Sequence, residues 1–445
     1  MTDLASASRE ELLAIIATQQ AEIGLLGARV AQLEEEVGRL RGAGAKAPPT
    51  WVKPNRPKPE ERDRKRRGQG FARRREAPDA IVEHGVEQCP KCGRKLLRGW
   101  CHRSHQVIEI VLPQMRVIEH RVLGRFCSLC NKRWLPKLEG SALGVQGQRR
   151  FGASVQSLVA ALNGAFRIPL SQIRRLLFEL WGLRISKGEL VALVDGVVAA
   201  GEKELKGLQE AVRGSPVVNA DETGWRQDGQ NGWLWAFVTP RLRYFLYRKT
   251  RSGTVPEEVL GDPFKGRVVC DFYAAYNRLL HEIQRCWAHL LRDLHELKEK
   301  HADSAEVIAW AEAVQALYEE AKAFSCPNAL WRQRKRAELE DRLEALARPV
   351  ASRTEAPPSV LAQRIVKHLS ELFVFVEHPE VPADNNLAER SLRPAVIARK
   401  ICGGTRSDKG SETKMGLLSL TGTWTLQNRA LLSAFRKLIL TGSSA

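Results

Sequence analysis

The sequence contains no run of about 18 or more apolar residues, the length needed to cross the hydrocarbon core of a bilayer. Its first residues, MTDLASASREELL, also lack the basic segment and the apolar stretch that make up a secretion signal. We therefore expect a cytoplasmic protein that has no membrane partner.

Cysteine is sparse, and acidic residues are fewer than basic ones. The nine cysteines are an odd number in a long chain, which favours thiols or metal ligands over a disulfide framework. The 51 Asp and Glu residues stand against 70 Lys and Arg residues, so the formal net charge is +19. Because each cation placed on a phosphate releases condensed counterions, this excess favours a nucleic acid partner.

The chain of 445 residues is too long for one ordinary core, and 43% of its residues are hydrophobic. The first segment, residues 1–41, shows a heptad pattern that only Gln19 interrupts. One row holds Ile16, Ile23, Val30 and Val37, and the other holds Leu12, Leu26, Leu33 and Leu40. We expect a coiled-coil helix that forms a homodimer or a higher assembly; an amphipathic helix packed on its own chain is the alternative.

Residues 42–80 are rich in Pro, Gly and charge, which predicts a basic flexible linker without a core. Its clustered cations would lie along a phosphate backbone, although a solvated tether is the simpler interpretation. These cations are Lys65, Arg66, Arg67, Arg73, Arg74 and Arg75.

Two CxxC pairs mark residues 81–140 as a zinc-binding, zinc-ribbon-like module. The predicted ligands of a structural Zn²⁺ are Cys89, Cys92, Cys127 and Cys130. The spacer has strand character, so an antiparallel hairpin could return the second pair to the first. Cys101, His102 and His105 are the competing ligands.

Residues 141–212 have helical periodicity interrupted by short turns, and they carry the basic pair Arg174 and Arg175. This pattern fits a helix-turn-helix-like DNA-binding domain, and a plain helical domain fits nearly as well.

Residues 213–300 begin with a short apolar strand that ends in Asp221, followed by two strand-like runs. A second short strand ends in Asp271 and precedes a helix-like segment. Two aspartates at the ends of neighbouring strands are typical of a ribonuclease-H-like core. Residues 301–380 predict a helical insertion, and residues 381–445 return to the core.

The C-terminal part supplies a third acid, Glu389, on a helix that Asp384 could cap. Three carboxylates could hold two Mg²⁺ (or Mn²⁺) ions, which are the ions of phosphoryl-transfer sites. Arg390 and Arg393 on the same helix would contact a phosphate. Each acid alone is more often a turn residue, a cap or a salt-bridge partner, so their combination carries the prediction.

Two further motifs leave their alternatives open. Cys286 and His289 lie one helical turn apart, and a buried core pair with a hydrogen-bonded imidazole is favoured over a metal site. The Gly-rich basic loop that begins at Lys400 could contact phosphate or be an ordinary surface loop.

The strings ADETGWR, DFYAAYN, RCWAHLLRDL and ADNNLAERSLRP resemble the transposases of the insertion-sequence family numbered sixty-six. The paired CxxC module and the N-terminal heptads extend this resemblance over nearly the whole chain. It implies a DDE transposase with a ribonuclease-H-like core and with its acids at Asp221, Asp271 and Glu389. It also implies companion proteins of the same element. Phe272 departs from the Gly that many relatives have after the second Asp.

We therefore predict a multi-domain α/β protein that cleaves and transfers DNA strands of an insertion sequence, with double-stranded DNA as its partner. The DNA would be the terminal inverted repeats of the element and the target, bound at a bacterial nucleoid. The alternatives are a structure-selective nuclease or resolvase, and a non-catalytic zinc-dependent DNA-binding regulator.

Overall fold

The chain folds as two units, residues 1–109 and residues 110–445. The computed structural model describes residues 8, 17–33, 77–84, 86–96, 101, 104, 106, 114–121, 123–134, 150–261, 264–279 and 281–442. Among the described helices, none combines the length and the hydrophobicity that crossing a bilayer requires.

The first unit contains a helix and one cysteine turn. Residues 17–33 are helical, and their heptad side chains are largely exposed, including Ile23 at 68% and Leu26 at 65%. The described residues do not include four of the heptad residues, Leu12, Ile16, Val37 and Leu40, or the six linker cations. The N–H of Gly93 donates to the carbonyl of Cys89 at 2.8 Å, which closes a tight turn around the first CxxC pair.

The second CxxC pair lies at the tip of a hairpin in the second unit. Strands β1 (Arg125–Cys127) and β2 (Lys132–Trp134) pair antiparallel, and Cys130 lies in the turn between them. Residues 114–121, which we expected to belong to a longer hairpin between the two CxxC pairs, form no strand. The strands that are present therefore frame the second pair itself.

Thirteen helices of at least four residues occupy the described part of the chain from residue 150 onward. They are α1 (Ala153–Gly164), α2 (Leu170–Trp181), α3 (Lys187–Ala200), α4 (Glu202–Arg213), α5 (Thr254–Leu260), α6 (Trp287–Lys300), α7 (Ala305–Ala323), α8 (Ala329–Ala351), α9 (Ser359–Lys367), α10 (Val374–Glu377), α11 (Asn386–Cys402), α12 (Asp408–Leu426) and α13 (Leu431–Gly442).

Helices α1 to α4 share one apolar core with α12 and α13. The short turns that the sequence indicates lie between them: Gly182 ends α2 in the left-handed conformation, with φ 64°. Ser186 begins α3 through a capping box with Glu189, in which each side chain accepts the other residue's backbone N–H. Arg174 and Arg175 are exposed on α2.

A five-stranded mixed sheet forms the centre of the second unit. Its strands are β3 (Val217–Gln227), β4 (Gln230–Val238), β5 (Arg243–Arg248), β6 (Arg267–Cys270) and β7 (Ile283–Arg285). The spatial order is β5-β4-β3-β6-β7. The first three strands form an antiparallel meander, and β3, β6 and β7 run parallel.

The two faces of the sheet are covered by different elements because side chains alternate along each strand. On one face, Val218 and Ala220 of β3 pack with α5 and with the 3₁₀ turn Ala274–Arg278. On the other face, Trp225 of β3 packs with α11 and α12. The segment after Asp271 is therefore a 3₁₀ turn, shorter than the expected helix.

Helices α6 to α10 lie in sequence between Asp271 and Glu389 and build a separate apolar core. This core begins at Trp287, earlier than the expected start at residue 301. The ring of Trp287 lies 5.0 Å from that of Tyr318 and 5.3 Å from that of Phe373, measured between centroids. The helical segment is thus joined to the sheet directly after β7.

Candidate active site

Two parallel strands bring the first two acids together. Asn219 of β3 stands opposite Val269 of β6. Asp221 lies two residues further along β3, and Asp271 is the first residue after the end of β6. The backbone N–H of Glu222 donates to Asp221 Oδ1 at 2.8 Å, and that of Tyr273 donates to Asp271 Oδ1 at 2.9 Å. Both carboxylates are therefore oriented by the chain that follows them.

The helix that carries Glu389 is fixed to β3 by Asn385, which is fully buried. The Asn385 side chain donates to the carbonyl of Ala220 at 2.8 Å and accepts from the Asn219 side chain at 2.9 Å. Its backbone N–H donates to Cys286 Sγ at 3.1 Å. These bonds hold the first turn of α11 beside the strand that delivers Asp221.

The start of α11 differs from the predicted cap. Asn385, not Asp384, occupies the residue before the helix, since α11 begins at Asn386. The Asp384 carboxylate instead accepts the N–H of Asn386 at 3.0 Å, at a position one residue earlier than a cap. The reason is that the Asn385 side chain is committed to β3, so the capping bond comes from its neighbour.

The charges of the other two predicted acids act on Asp221. Burial, together with the negative charges of Glu222, Asp271 and Glu389, raises the pKa of Asp221 to about 8. The backbone N–H of Glu222 opposes this shift only in part. Asp271 and Glu389 are therefore each close enough to Asp221 to act on its charge.

A fourth acid, Glu222, lies on the opposite face of β3 and is neutralised there. Its side chain has no exposed surface and accepts two hydrogen bonds from Arg251, at 2.9 and 2.6 Å. The Tyr276 hydroxyl donates to its other oxygen at 2.6 Å. The Arg251 guanidinium also stacks between the rings of Trp233 and Tyr273, at 4.4 and 3.6 Å. This network links the segments that follow both aspartates, and no local sequence pattern predicted it because its members are far apart in the chain.

A fully buried arginine supports the turn that holds Asp271. Arg285 of β7 donates to the carbonyl of Asp271 at 2.7 Å and to the Asn277 side chain at 2.6 Å. Its charge is paired with Glu371, which follows α9. Since an unpaired buried charge is costly, this pairing ties the helical segment to the loop of the second acid.

Phe272, the departure from the family pattern, packs on the helical segment. Its ring meets the ring of His368 edge-on at 5.6 Å, and the Arg364 guanidinium lies 5.4 Å from its centroid. An aromatic side chain therefore anchors the turn at this position.

The favoured interpretation of Cys286 and His289 as a satisfied core pair is right only for the cysteine. Cys286 is fully buried. His289 Nδ1 is buried but has no hydrogen-bond partner, and Nε2 lies 3.7 Å from Glu389 Oε1. The imidazole therefore faces the third acid.

The predicted phosphate-binding arginines are both exposed on α11. Within the described residues, neither Arg390 nor Arg393 forms a salt bridge. Burial and the positive charge of Arg390 lower the pKa of Arg243, at the start of β5, to about 10. Arg390 thus points towards another cation that lacks a carboxylate partner.

The Gly-rich loop after α11 is docked on the sheet. Gly403 ends the helix with φ 72°, and a Cβ at Gly404 would lie 2.0 Å from the carbonyl of Arg226. Thr405 donates its N–H to the same carbonyl at 2.9 Å. Close backbone packing therefore explains this glycine.

The sequence model of the Transposase IS66 family matches residues 148–413, which is more than half of the chain. No curated protein matches the chain. The matched region contains the whole sheet, the three acids and the helices between them. The chain belongs to the Transposase IS66 family.

Proposed function

We propose that this transposase cleaves a DNA strand at the end of its element and transfers that strand to target DNA, using Asp221, Asp271 and Glu389. Membership of the Transposase IS66 family implies a phosphoryl-transfer enzyme that binds DNA. The observation that supports this proposal is that Asp271 and Glu389 both lie close enough to Asp221 to contribute, with burial and Glu222, to raising its pKa to about 8.

The three acids fit a pair of divalent cations. Glu389 Oε1 is buried without a hydrogen-bond partner, and Asp221 is held among three other negative charges. Carboxylate oxygens are the ligands that Mg²⁺ and Mn²⁺ prefer. Two such ions, when bound, would activate the attacking oxygen and stabilise the leaving oxygen of a phosphodiester.

The side chains around the acids would have separate tasks. Asp221 must give up its proton before it can act as a carboxylate ligand. Asn385 keeps Glu389 in position against β3, and Arg285 keeps Asp271 in position. Arg390 and Arg393 would contact DNA phosphates, since neither is paired with a described acid.

In the proposed reaction, water breaks a phosphodiester bond at the element end and leaves a 3′-hydroxyl. This hydroxyl then attacks a phosphodiester of the target, and the target's own 3′-hydroxyl leaves. No covalent bond between protein and DNA is needed. The sheet order β5-β4-β3-β6-β7, with one antiparallel meander and three parallel strands, supports a ribonuclease-H-like core for this chemistry.

We also propose that the two CxxC pairs bind structural zinc. The backbone N–H groups of Lys91 and Cys92 lower the pKa of the Cys89 thiol. Hydrogen bonds from Cys130 and Leu129 do the same for Cys127. Such turns favour the thiolates that zinc requires. Replacing Cys89 by Ser should therefore lower the zinc content; an unchanged content would reject this assignment.

The exposed heptad side chains of residues 17–33 support a homodimer or a higher assembly through the N-terminal helix. Light scattering should show a smaller assembly for Leu26→Asp than for the unmodified chain. A monomeric unmodified chain would contradict this proposal.

The test of the catalytic proposal is Glu389→Gln in a strand-transfer assay with a supercoiled target. Binding to the element ends should persist, while joined product should fall to background because one acid is lost from the cage. Glu412→Gln, at an exposed position on α12, is the matched control and should retain transfer. Full transfer by Glu389→Gln would reject the assignment, and cleavage without joining by the unmodified protein would indicate a nuclease.

A further inference from the structure

Two residues at the start of α6 share the surroundings of Glu389. One ligand atom each from Cys286, His289 and Glu389 lies within 4.8 Å of the other two. His289 Nε2 and Glu389 Oε1 are 3.7 Å apart, too far for a hydrogen bond. The three side chains therefore surround a common point without bonding directly to one another.

Two polar atoms of this cluster are left unpaired. Within the described part of the chain, only His289 Nδ1 and Glu389 Oε1 are buried side-chain nitrogens or oxygens without a hydrogen-bond partner. An unpaired buried polar atom destabilises the folded state, so native proteins rarely keep one without a use. That both atoms occur in the same cluster indicates a missing ligand.

The backbone fixes the geometry of the cluster. Cys286 is the residue before α6, and His289 follows one turn later, so both lie at the beginning of the helix. The N–H of Asn385 donates to Cys286 Sγ at 3.1 Å, and the N–H of Trp287 donates to the carbonyl of Ala383 at 3.0 Å. These bonds hold the beginnings of α6 and α11 together, which sets Glu389 against the histidine.

We propose that Cys286, His289 and Glu389 form a site for a thiophilic divalent cation, with zinc as the best fit. A thiolate, an imidazole and a carboxylate are zinc ligands, whereas Mg²⁺ avoids sulfur. Three protein ligands leave a fourth position open to water or another group. Burial raises the pKa of the Cys286 thiol, and the backbone N–H groups of Asn385, His289 and Ala288, which point at the sulfur, oppose this shift in part.

This site shares Glu389 with the three-acid site, and in that respect it rests on the proposed function. A carboxylate that binds zinc between Cys286 and His289 is withdrawn from Asp221 and Asp271. Zinc at this position therefore opposes binding of magnesium by the three acids. The cluster is an inhibitory metal site built next to the catalytic one.

The first measurement is the zinc content of the full chain after zinc loading and dialysis. His289→Gln should hold one zinc ion fewer per chain than the unmodified protein. His295→Gln is the matched control, since His295 is exposed on the same helix and pairs with Glu299. It should keep the full content. Equal zinc contents in His289→Gln and the unmodified protein would overturn the proposal.

The second measurement is zinc inhibition of strand transfer at fixed magnesium, relative to each variant's own activity without zinc. The zinc concentration for half inhibition should rise by about tenfold or more in His289→Gln, as expected when a metal site loses a ligand. Cys286→Ser should shift it in the same direction. Unshifted inhibition in both variants would overturn the proposal.

The two proposals fail in different ways. If Glu389→Gln abolishes transfer while His289→Gln keeps all its zinc, the zinc site is wrong and the catalytic assignment stands. If Glu389→Gln transfers normally while both His289→Gln and Glu389→Gln lose a zinc ion, the catalytic assignment is wrong and the zinc site stands.

Discussion

At the scale of single residues, Asp221 is an acid whose pKa burial and neighbouring negative charges raise to about 8. The pKa of about 8 means that the folded, metal-free protein keeps a proton on Asp221 at neutral pH. The same side chain in the unfolded chain has a pKa near 3.8. Rising pH therefore removes the proton more easily from the unfolded chain, and the folded state loses stability between these two values.

This predicts a pH-dependent effect of Asp221→Asn. In the presence of a chelator, the variant should gain stability over the unmodified protein by about 1.4 kcal/mol per pH unit between roughly pH 5 and pH 7. The gain arises because Asn is neutral without a bound proton, whereas Asp221 must take up a proton on folding in this pH range. Urea unfolding at several pH values measures it, and parallel pH profiles for the two proteins would contradict it.

Residues beside the acids in the family strings have distinct structural roles. In DFYAAYN, Phe272 packs on His368, Tyr276 bonds to Glu222, and Asn277 bonds to Arg285. Composition and spacing could predict the three acids only in combination, because each acid alone has several other common uses. They could not identify these partners, since a hydrogen bond between distant segments leaves no local pattern.

At the scale of elements, short apolar runs in the sequence predicted the strands that lead to the aspartates. The sequence rules for helix caps did not predict the start of α11. The sequence predicted Asp384 as the cap. Asn385 occupies that position instead, because its side chain is hydrogen-bonded to β3. The first turn of α11 is thus held by the sheet more than by its own terminus. The extent of the helical segment was also underestimated, because Trp287 packs with helices far along the chain.

Asn385→Ala should therefore loosen α11 from the sheet. Its loss leaves the carbonyl of Ala220 and the amide of Asn219 without partners, at a cost of about 2 kcal/mol or more in the free energy of unfolding. Strand transfer should fall by about a hundredfold, because a shift of about 1 Å in Glu389 is enough for such a loss.

Asn386→Ala is the matched control for this variant, since Asn386 is the exposed neighbour. Its free energy of unfolding should stay within about 0.5 kcal/mol of the unmodified protein. Urea unfolding and the transfer assay check both variants. Equal effects of the two substitutions would show that Asn385 is not the clamp.

At the scale of the whole molecule, the proposed site draws on segments separated by up to 168 residues, the distance in sequence from Asp221 to Glu389. A single sequence could indicate each contributing element and the order of the elements. The predicted fold makes β3 and β6 neighbours, but their register is a property of the assembled sheet that a single sequence could not indicate. The excess of positive charge fits DNA on the same whole-molecule scale.

The central claim is that Asp221, Asp271 and Glu389 hold the same cations, and iron-directed cleavage of the polypeptide tests it most directly. Fe²⁺ binds carboxylates in place of Mg²⁺, and with ascorbate and peroxide it generates radicals that cut the nearby backbone. Cuts are predicted close to all three residues, and excess Mg²⁺ should suppress the three together. Cuts near the two aspartates without any near Glu389 would contradict the account.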